Sequence, residues 1–116
     1  MRLIVAGGRF FNDYTLMKRK LDIILSKVEE PIEIVSGKAN GADTLGERYA
    51  RQNGYPVKDF YAQWTTYGNR AGFLRNKDMA EYATHCVVFW DGESTGSKHM
   101  IDLSKEYNLP TRVIRY

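Results

Sequence analysis

Three stretches of this chain bring glycine together with cationic side chains, and two of them add hydroxyls. They are Gly7-Gly8-Arg9, Ser36-Gly37-Lys38-Ala39-Asn40-Gly41-Ala42-Asp43 and Asp91-Gly92-Glu93-Ser94-Thr95-Gly96-Ser97-Lys98. Glycine lets backbone N–H groups approach a ligand, hydroxyls donate a further hydrogen bond, and an arginine fork matches phosphate or carboxylate. The chemistry these residue types suit is capture of an anion. A fourth stretch, running from Trp64 to Asn76, adds two aromatic faces, Trp64 and Tyr67, that can cover a base. It also supplies Arg75 and Asn76 as donors to phosphate and base. Arg75 stands one helical turn before Met79, so the two share a helix face. A cation on a partly buried face requires a specific partner.

Each motif has a plain structural role to set against this. Gly7-Gly8-Arg9 also serves as a tight strand-to-helix turn, and its spacing is not the G-x-G-x-x-G of a nicotinamide site. The Ser36 to Asp43 stretch lacks the Gly-Lys-Ser/Thr of a Walker A loop. Asp43 either stabilises a helix dipole or accepts from a ribose hydroxyl, and both roles stay open. Trp64 and Tyr67 can instead lid the core. Ser97 or Thr95 can cap a helix, but a cap needs one hydroxyl and this loop carries three.

Candidates for catalysis are few. Asp91, Glu93 or Asp43 can be cast as the carboxylate that stabilises an oxocarbenium-like transition state. A Ser94, His99 and Asp91 triad has no G-x-S-x-G elbow to support it. His85 and His99 have no Cys or carboxylate at metal-ligand spacing, so no metal site is expected.

The elements that must position these loops follow from periodicity. Apolar, β-branched runs at Arg2–Ala6, Ile32–Val35, Val57–Tyr61, His85–Trp90 and Thr111–Arg115 predict five strands. Helical spacing predicts a helix carrying Leu16, Leu21, Ile24, Leu25 and Val28, capped by Asn12 or Asp13 and followed by Pro31. A second helix carries Ala42, Leu45, Tyr49 and Ala50 and ends at Asn53-Gly54. A third runs from Gly72 to Ala83 with Leu74, Met79 and Tyr82 inward, and a last one runs from Ser97 to Tyr107. Gln63 to Ala71 is expected to be an irregular connector. Strand alternating with helix predicts an α/β, three-layer Rossmann-like domain with a mainly parallel sheet in the order 3-2-1-4-5. Residues 1–116 are expected to form one domain. In that architecture the three glycine loops share the carboxyl edge of the sheet, where open α/β folds bind ligands.

Bulk properties narrow the partners. The chain has 17 Lys+Arg against 14 Asp+Glu, a net charge of +3, with no basic run, so nucleic acid is not the expected partner. The single cysteine, Cys86, lies in an apolar run and is expected to be a reduced core thiol. No membrane-spanning stretch or signal segment is visible, and the expected location is cytoplasmic.

With these motifs in place, the chain resembles the SLOG superfamily of Rossmann-like nucleotide-binding domains. Within it, the resemblance is to the short stand-alone YspA-type, cpYpsA-related branch. The residues that carry it are Gly7-Gly8-Arg9-Phe10 with Asp13-Tyr14, then Ser36-Gly37 with Asn40-Gly41-Ala42-Asp43. They continue as Trp64, Tyr67-Gly68, Ala71-Gly72, Arg75-Asn76 and Met79, and end with Phe89-Trp90-Asp91-Gly92, Ser94 and Gly96. The resemblance implies a site for nucleotides or nucleotide-derived, ADP-ribose-like ligands. Some relatives are phosphoribohydrolases that release a base from a nucleoside monophosphate, and others bind single-stranded DNA. In the phosphoribohydrolases a Pro-Gly-Gly-x-Gly-Thr loop precedes a helical glutamate. Here Gly96-Ser97 takes the Gly-Thr place and Met100 takes the glutamate's, which removes the acid/base group. The expectation is therefore a homodimeric module that binds a nucleotide-like small molecule and needs no cofactor. Base-releasing hydrolysis and single-stranded DNA binding are the alternatives.

Overall fold

A computed structural model describes all residues, 1–116. Five parallel strands form one sheet in the order β3-β2-β1-β4-β5. They are β1 (Arg2–Gly7), β2 (Glu33–Ser36), β3 (Val57–Asp59), β4 (His85–Trp90) and β5 (Thr111–Arg115). Between them lie α1 (Tyr14–Leu25), α2 (Ala42–Asn53), α3 (Trp64–Tyr67), α4 (Ala71–Tyr82) and α5 (Thr95–Glu106). The α/β class and the strand order agree with the sequence reading.

The central strands are apolar on both faces because both faces are covered. On one side, Leu3, Val5, Ile34, Val87 and Phe89 pack under Met17, Leu21, Tyr49 and Ala50 of α1 and α2. On the other, Ile4, Ala6, Val35, Cys86 and Val88 pack under Met79, Ala80, Met100 and Ile101 of α4 and α5. Cys86 is a buried free thiol, and burial pushes its pKa up to about 12.

Local signals act where the sequence puts them. Asp13 caps α1 by accepting from Leu16 N–H at 3.0 Å, and Gly54 ends α2 in the left-handed conformation, φ 73°. Most strand and helix boundaries shift from expectation by one or two residues, and three elements differ in character. The α1 helix stops at Leu25, so Val28 reaches the core from the following turn. β3 is three residues long, because an edge strand needs no further pairing after Ser36 meets Asp59. The connector is not irregular: α3 and a 3-10 turn at Gly68–Arg70 lead straight into α4. Within α4, Leu74 is only half-buried, and the inward face carries Asn76, Met79 and Ala80 instead.

The chain winds from β1 outward through β2 and β3, then crosses back to β4 on the other side of β1. The loops after β1 and β4 therefore part company at the carboxyl edge and open a crevice there. Gly41, the N-cap of α2, holds the loop after β2 against the loop after β1. It has φ 76°, and a Cβ there would lie 2.2 Å from the Gly8 carbonyl oxygen and 2.5 Å from that of Arg9. Gly41→Ala therefore combines a left-handed backbone with a clash against backbone atoms. It is expected to destabilise the fold by about 3 kcal/mol, read from chemical denaturation.

Candidate functional site

A cleft of about 900 Å³ opens at the carboxyl edge, walled by the loops after β1, β2 and β4 and by the first turns of α4 and α5. It gathers most of the residues singled out from sequence: Gly7, Gly8, Arg9, Gly37, Asn40, Asp43, Trp64, Arg75, Asn76, Asp91, Glu93, Ser94, Gly96 and Ser97. Met100 lies on its floor. Ser36, Gly41, Gly92 and Tyr67 do not line it.

Their absence has particular causes. The Ser36 hydroxyl donates to Glu47 at 2.7 Å and accepts from Lys38 N–H at 3.1 Å, so it braces the loop from behind. Gly41 is spent on the backbone contact already described. The place of a side chain at Gly92 is filled by the Arg115 guanidinium. Tyr67 lines a neighbouring cavity of about 230 Å³ with Leu74 and Asp78, on the far side of Arg75.

Glu47 organises the second loop. Besides Ser36 it holds Lys38 Nζ at 2.7 Å, with Asp59 3.9 Å away. Lys38 takes φ 59°, and its ammonium is thereby turned onto two carboxylates. Lys38 lines the cleft with its charge so held, whereas Arg9 and Arg75 line it without a salt bridge. Arg75 Nη1 donates to the Gly37 carbonyl at 3.0 Å, which is the specific partner its position demanded. Burial lowers its pKa, the Asp43 carboxylate opposes that shift, and the like charge of Arg9 reinforces it. Two guanidiniums thus line one opening, with the Asp43 carboxyl near Arg75.

That carboxyl is buried. Asp43 is 5% exposed, and its Oδ2 accepts from Ala39 N–H at 3.1 Å. Gly37 makes the approach feasible, since a Cβ there would lie 2.9 Å from Asp43 Oδ2 and 3.1 Å from Arg75 Nε. Burial raises Asp43 from 3.8 to about 6, against the pull of Ala39 N–H and Arg75. Asp91 is the reverse case. It is exposed, accepts from Glu93 and Ser94 N–H at 2.8 and 2.9 Å, and these bonds hold its pKa below the ordinary range. Its carboxylate builds the turn. Glu93 is exposed at the rim.

At α5 the cap is Ser94, whose hydroxyl accepts from Ser97 N–H at 3.4 Å. Helix geometry leaves the first-turn amides of α5 without intrahelical partners, and they carry the positive end of the dipole. The Ser97 hydroxyl is buried, lines the cleft and has no hydrogen-bond partner. A buried orphan hydroxyl costs about 1–3 kcal/mol unless something meets it. Beside it, Asn76 Nδ2 lies 3.2 Å from His99 Nδ1 and 3.5 Å from the Gly96 carbonyl. A donor on Nδ1's side matches a neutral imidazole, and burial lowers the His99 pKa. No three His, Cys, Asp or Glu side chains gather where they could hold a metal ion.

Aromatic rings surround the mouth. Phe10 is 94% exposed, and Tyr61, Trp64 and Phe73 are also exposed there. Of these, only Trp64 was singled out as a base-covering residue from sequence. Phe73 stands edge-on to His99 with centroids 4.6 Å apart. Tyr116 joins the wall by packing its hydroxyl over Gly8. No helix is long and apolar enough to cross a membrane.

Asp43 yields a stability prediction. The folded chain holds its proton more tightly than the ordinary value of 3.8 allows, at about 6. Stability is therefore lost as pH rises through that window, by up to about 3 kcal/mol above it. Asp43→Asn keeps an acceptor for Ala39 N–H without the charge. It is expected to be more stable than the parent by up to about 3 kcal/mol at about pH 7.5, and not at about pH 4, by urea unfolding.

Comparison with known proteins accords with this architecture. Residues 1–67 match the YspA, cpYpsA-related SLOG family. The chain is 31% identical over 115 residues to the Gene 61 protein of Mycobacterium phage D29, covering 94% of this chain and 92% of that one. Its fold is similar to DNA processing protein A (DprA) from Streptococcus pneumoniae, with a TM-score of 0.76 at 18% identity. That alignment covers 99% of this chain but 50% of the other, so the chain spans about half the length of that protein. The family match extends over more than half of the chain: the chain belongs to the YspA, cpYpsA-related SLOG family.

Proposed function

We propose that the chain binds a nucleotide or nucleotide-derived, ADP-ribose-like molecule in the cleft at the carboxyl edge of its sheet. The observation that carries this reading is the unmatched donor set. Arg9 and Arg75 line the opening together, and the Ser97 hydroxyl stands in it without a partner, beside the Thr95 and Gly96 amides that helix geometry leaves free. Donors of that kind, spread around about 900 Å³, suit an extended anion with more than one phosphoryl group. The exposed rings of Phe10, Trp64 and Phe73 supply flat apolar surface for a base, which a bare phosphate site would not need. Family membership supports a nucleotide-related ligand.

A hydrolytic reading has one observation in its favour. Asp43 is a protonatable carboxyl inside the cleft, in the range where general acids and bases work. Met100, apolar and buried, occupies the place where phosphoribohydrolases carry glutamate, which favours binding over turnover.

Calorimetry against AMP, ADP, ADP-ribose and a short single-stranded oligonucleotide tests the proposal. The expected result is saturable binding of a mononucleotide or ADP-ribose that weakens by at least about 10-fold in Arg75→Ala. Binding of the oligonucleotide alone, with steep salt dependence, would replace the small-molecule reading with strand binding. Chromatography of the same mixtures detects base release. Turnover lost in Asp43→Asn but kept in Asp91→Asn and Glu93→Gln would establish the hydrolytic reading.

A further inference from the structure

The corner of the cleft at Gly37 holds opposite charges that the ligand must separate or join. Asp43 Oδ2 and Arg75 Nε converge there, at 2.9 and 3.1 Å from where a Gly37 Cβ would stand. Arg75 is anchored through Nη1 to the Gly37 carbonyl and through Nε to Asn76 Oδ1, which holds its guanidinium in the same corner as Asp43. An anion that reaches those groups comes against the Asp43 carboxyl. We propose that Asp43 is the residue that decides when the cleft accepts an anion: ionised, it rejects a phosphoryl group from the Gly37–Arg75 corner, and protonated, it admits one, so that capture takes up a proton. This rests on the reading of the cleft as an anion site and adds the proton to it.

The surroundings of Asp43 make the coupling one-sided. From α4 it faces Arg75, whose own charge also feels that of Arg9 in the loop after β1. On its own helix, Glu47 repels it, while the Lys38 ammonium is already held by Glu47 and Asp59. Ala39 N–H donates to it whether or not it is ionised. Burial outweighs these contacts, and the carboxyl titrates at about 6 before any ligand arrives. A phosphoryl group beside it adds a like charge and pushes the same equilibrium further toward the acid. Protonated, the carboxyl becomes a hydrogen-bond donor, matching the partnerless Ser97 hydroxyl across the cleft. His99, behind Asn76 and against Phe73, is a neighbouring titratable group, and burial lowers its pKa.

Sulfate and ADP-ribose are suitable probes because neither changes charge near neutral pH. Affinity is measured by calorimetry on the whole chain, with circular dichroism confirming the fold at each pH. With Asp43 at about 6, binding to the protonated form alone would tighten up to about 100-fold from about pH 8 to about pH 5. At least about 10-fold is expected. Asp43→Asn should bind at all pH values with the affinity of the acid form, whereas His99→Gln should retain the slope. Carbon-detected NMR of the free protein should show one Asp carboxyl titrating near neutrality. Sulfate binding with the slope, but no ADP-ribose binding, would uphold the proton coupling and overturn the nucleotide reading. ADP-ribose binding without a slope, or with one that survives Asp43→Asn, would overturn the coupling and leave the nucleotide reading standing. Failure of both probes to bind at any pH would overturn the coupling.

Discussion

Everything at the carboxyl edge depends on one backbone junction. The Gly8 carbonyl accepts from Phe11 N–H within its own loop and from Ala42 N–H at the start of α2, both at 3.2 Å. That shared acceptor joins the loop after β1 to the helix after β2, and Gly41 tolerates the closeness because it has no side chain. Once the two loops are joined, Arg9 and Asp43 must share one cleft, and α2 aims its first turn at it. The third wall comes from β4, whose Phe89 carbonyl accepts from Gly8 N–H at 3.1 Å. Three segments far apart in sequence thus meet around a single glycine residue.

The site is assembled from groups that cost stability where they stand. A half-buried guanidinium, a buried carboxyl near neutrality and a hydroxyl with no partner are each unfavourable in a packed fold. The two apolar layers on either side of the sheet offset them and hold them in place. Lys38 and Glu47 show the contrasting arrangement: a cation and a carboxylate satisfied by each other, with Ser36 as a third member. That trio shapes the loop after β2. The difference between the satisfied trio and the unsatisfied cleft marks where chemistry is expected.

Several elements were legible because their signals are local. The buried strand at Arg2–Ala6, the Asp13 cap and the Gly54 stop all depend on residues within one turn of each other. The Arg75 argument also held, since sharing a helix face with Met79 placed it against the protein and its partner proved to be Gly37. Ser36 was legible as a loop hydroxyl, but its direction was not. Glu47 lies eleven positions further on and captures it only when α2 folds back beside β2. The irregular connector failed for a related reason, because Trp64 to Arg70 forms its turns without the apolar periodicity that marks a packed helix.

The sequence by itself determined the order of strands and helices, the parallel sheet and the edge that carries the glycine loops. Periodicity and right-handed crossovers leave little choice in those matters. The tertiary structure decided which loop residues face inward, that Asp43 rather than Asp91 is the buried carboxyl, and that Phe10, Tyr61 and Phe73 join Trp64 at the mouth. Burial and electrostatic environment arise from neighbours distant along the chain, so no local pattern can encode them. The glycines announce a place for a ligand, and the folded contacts assign the charges within it.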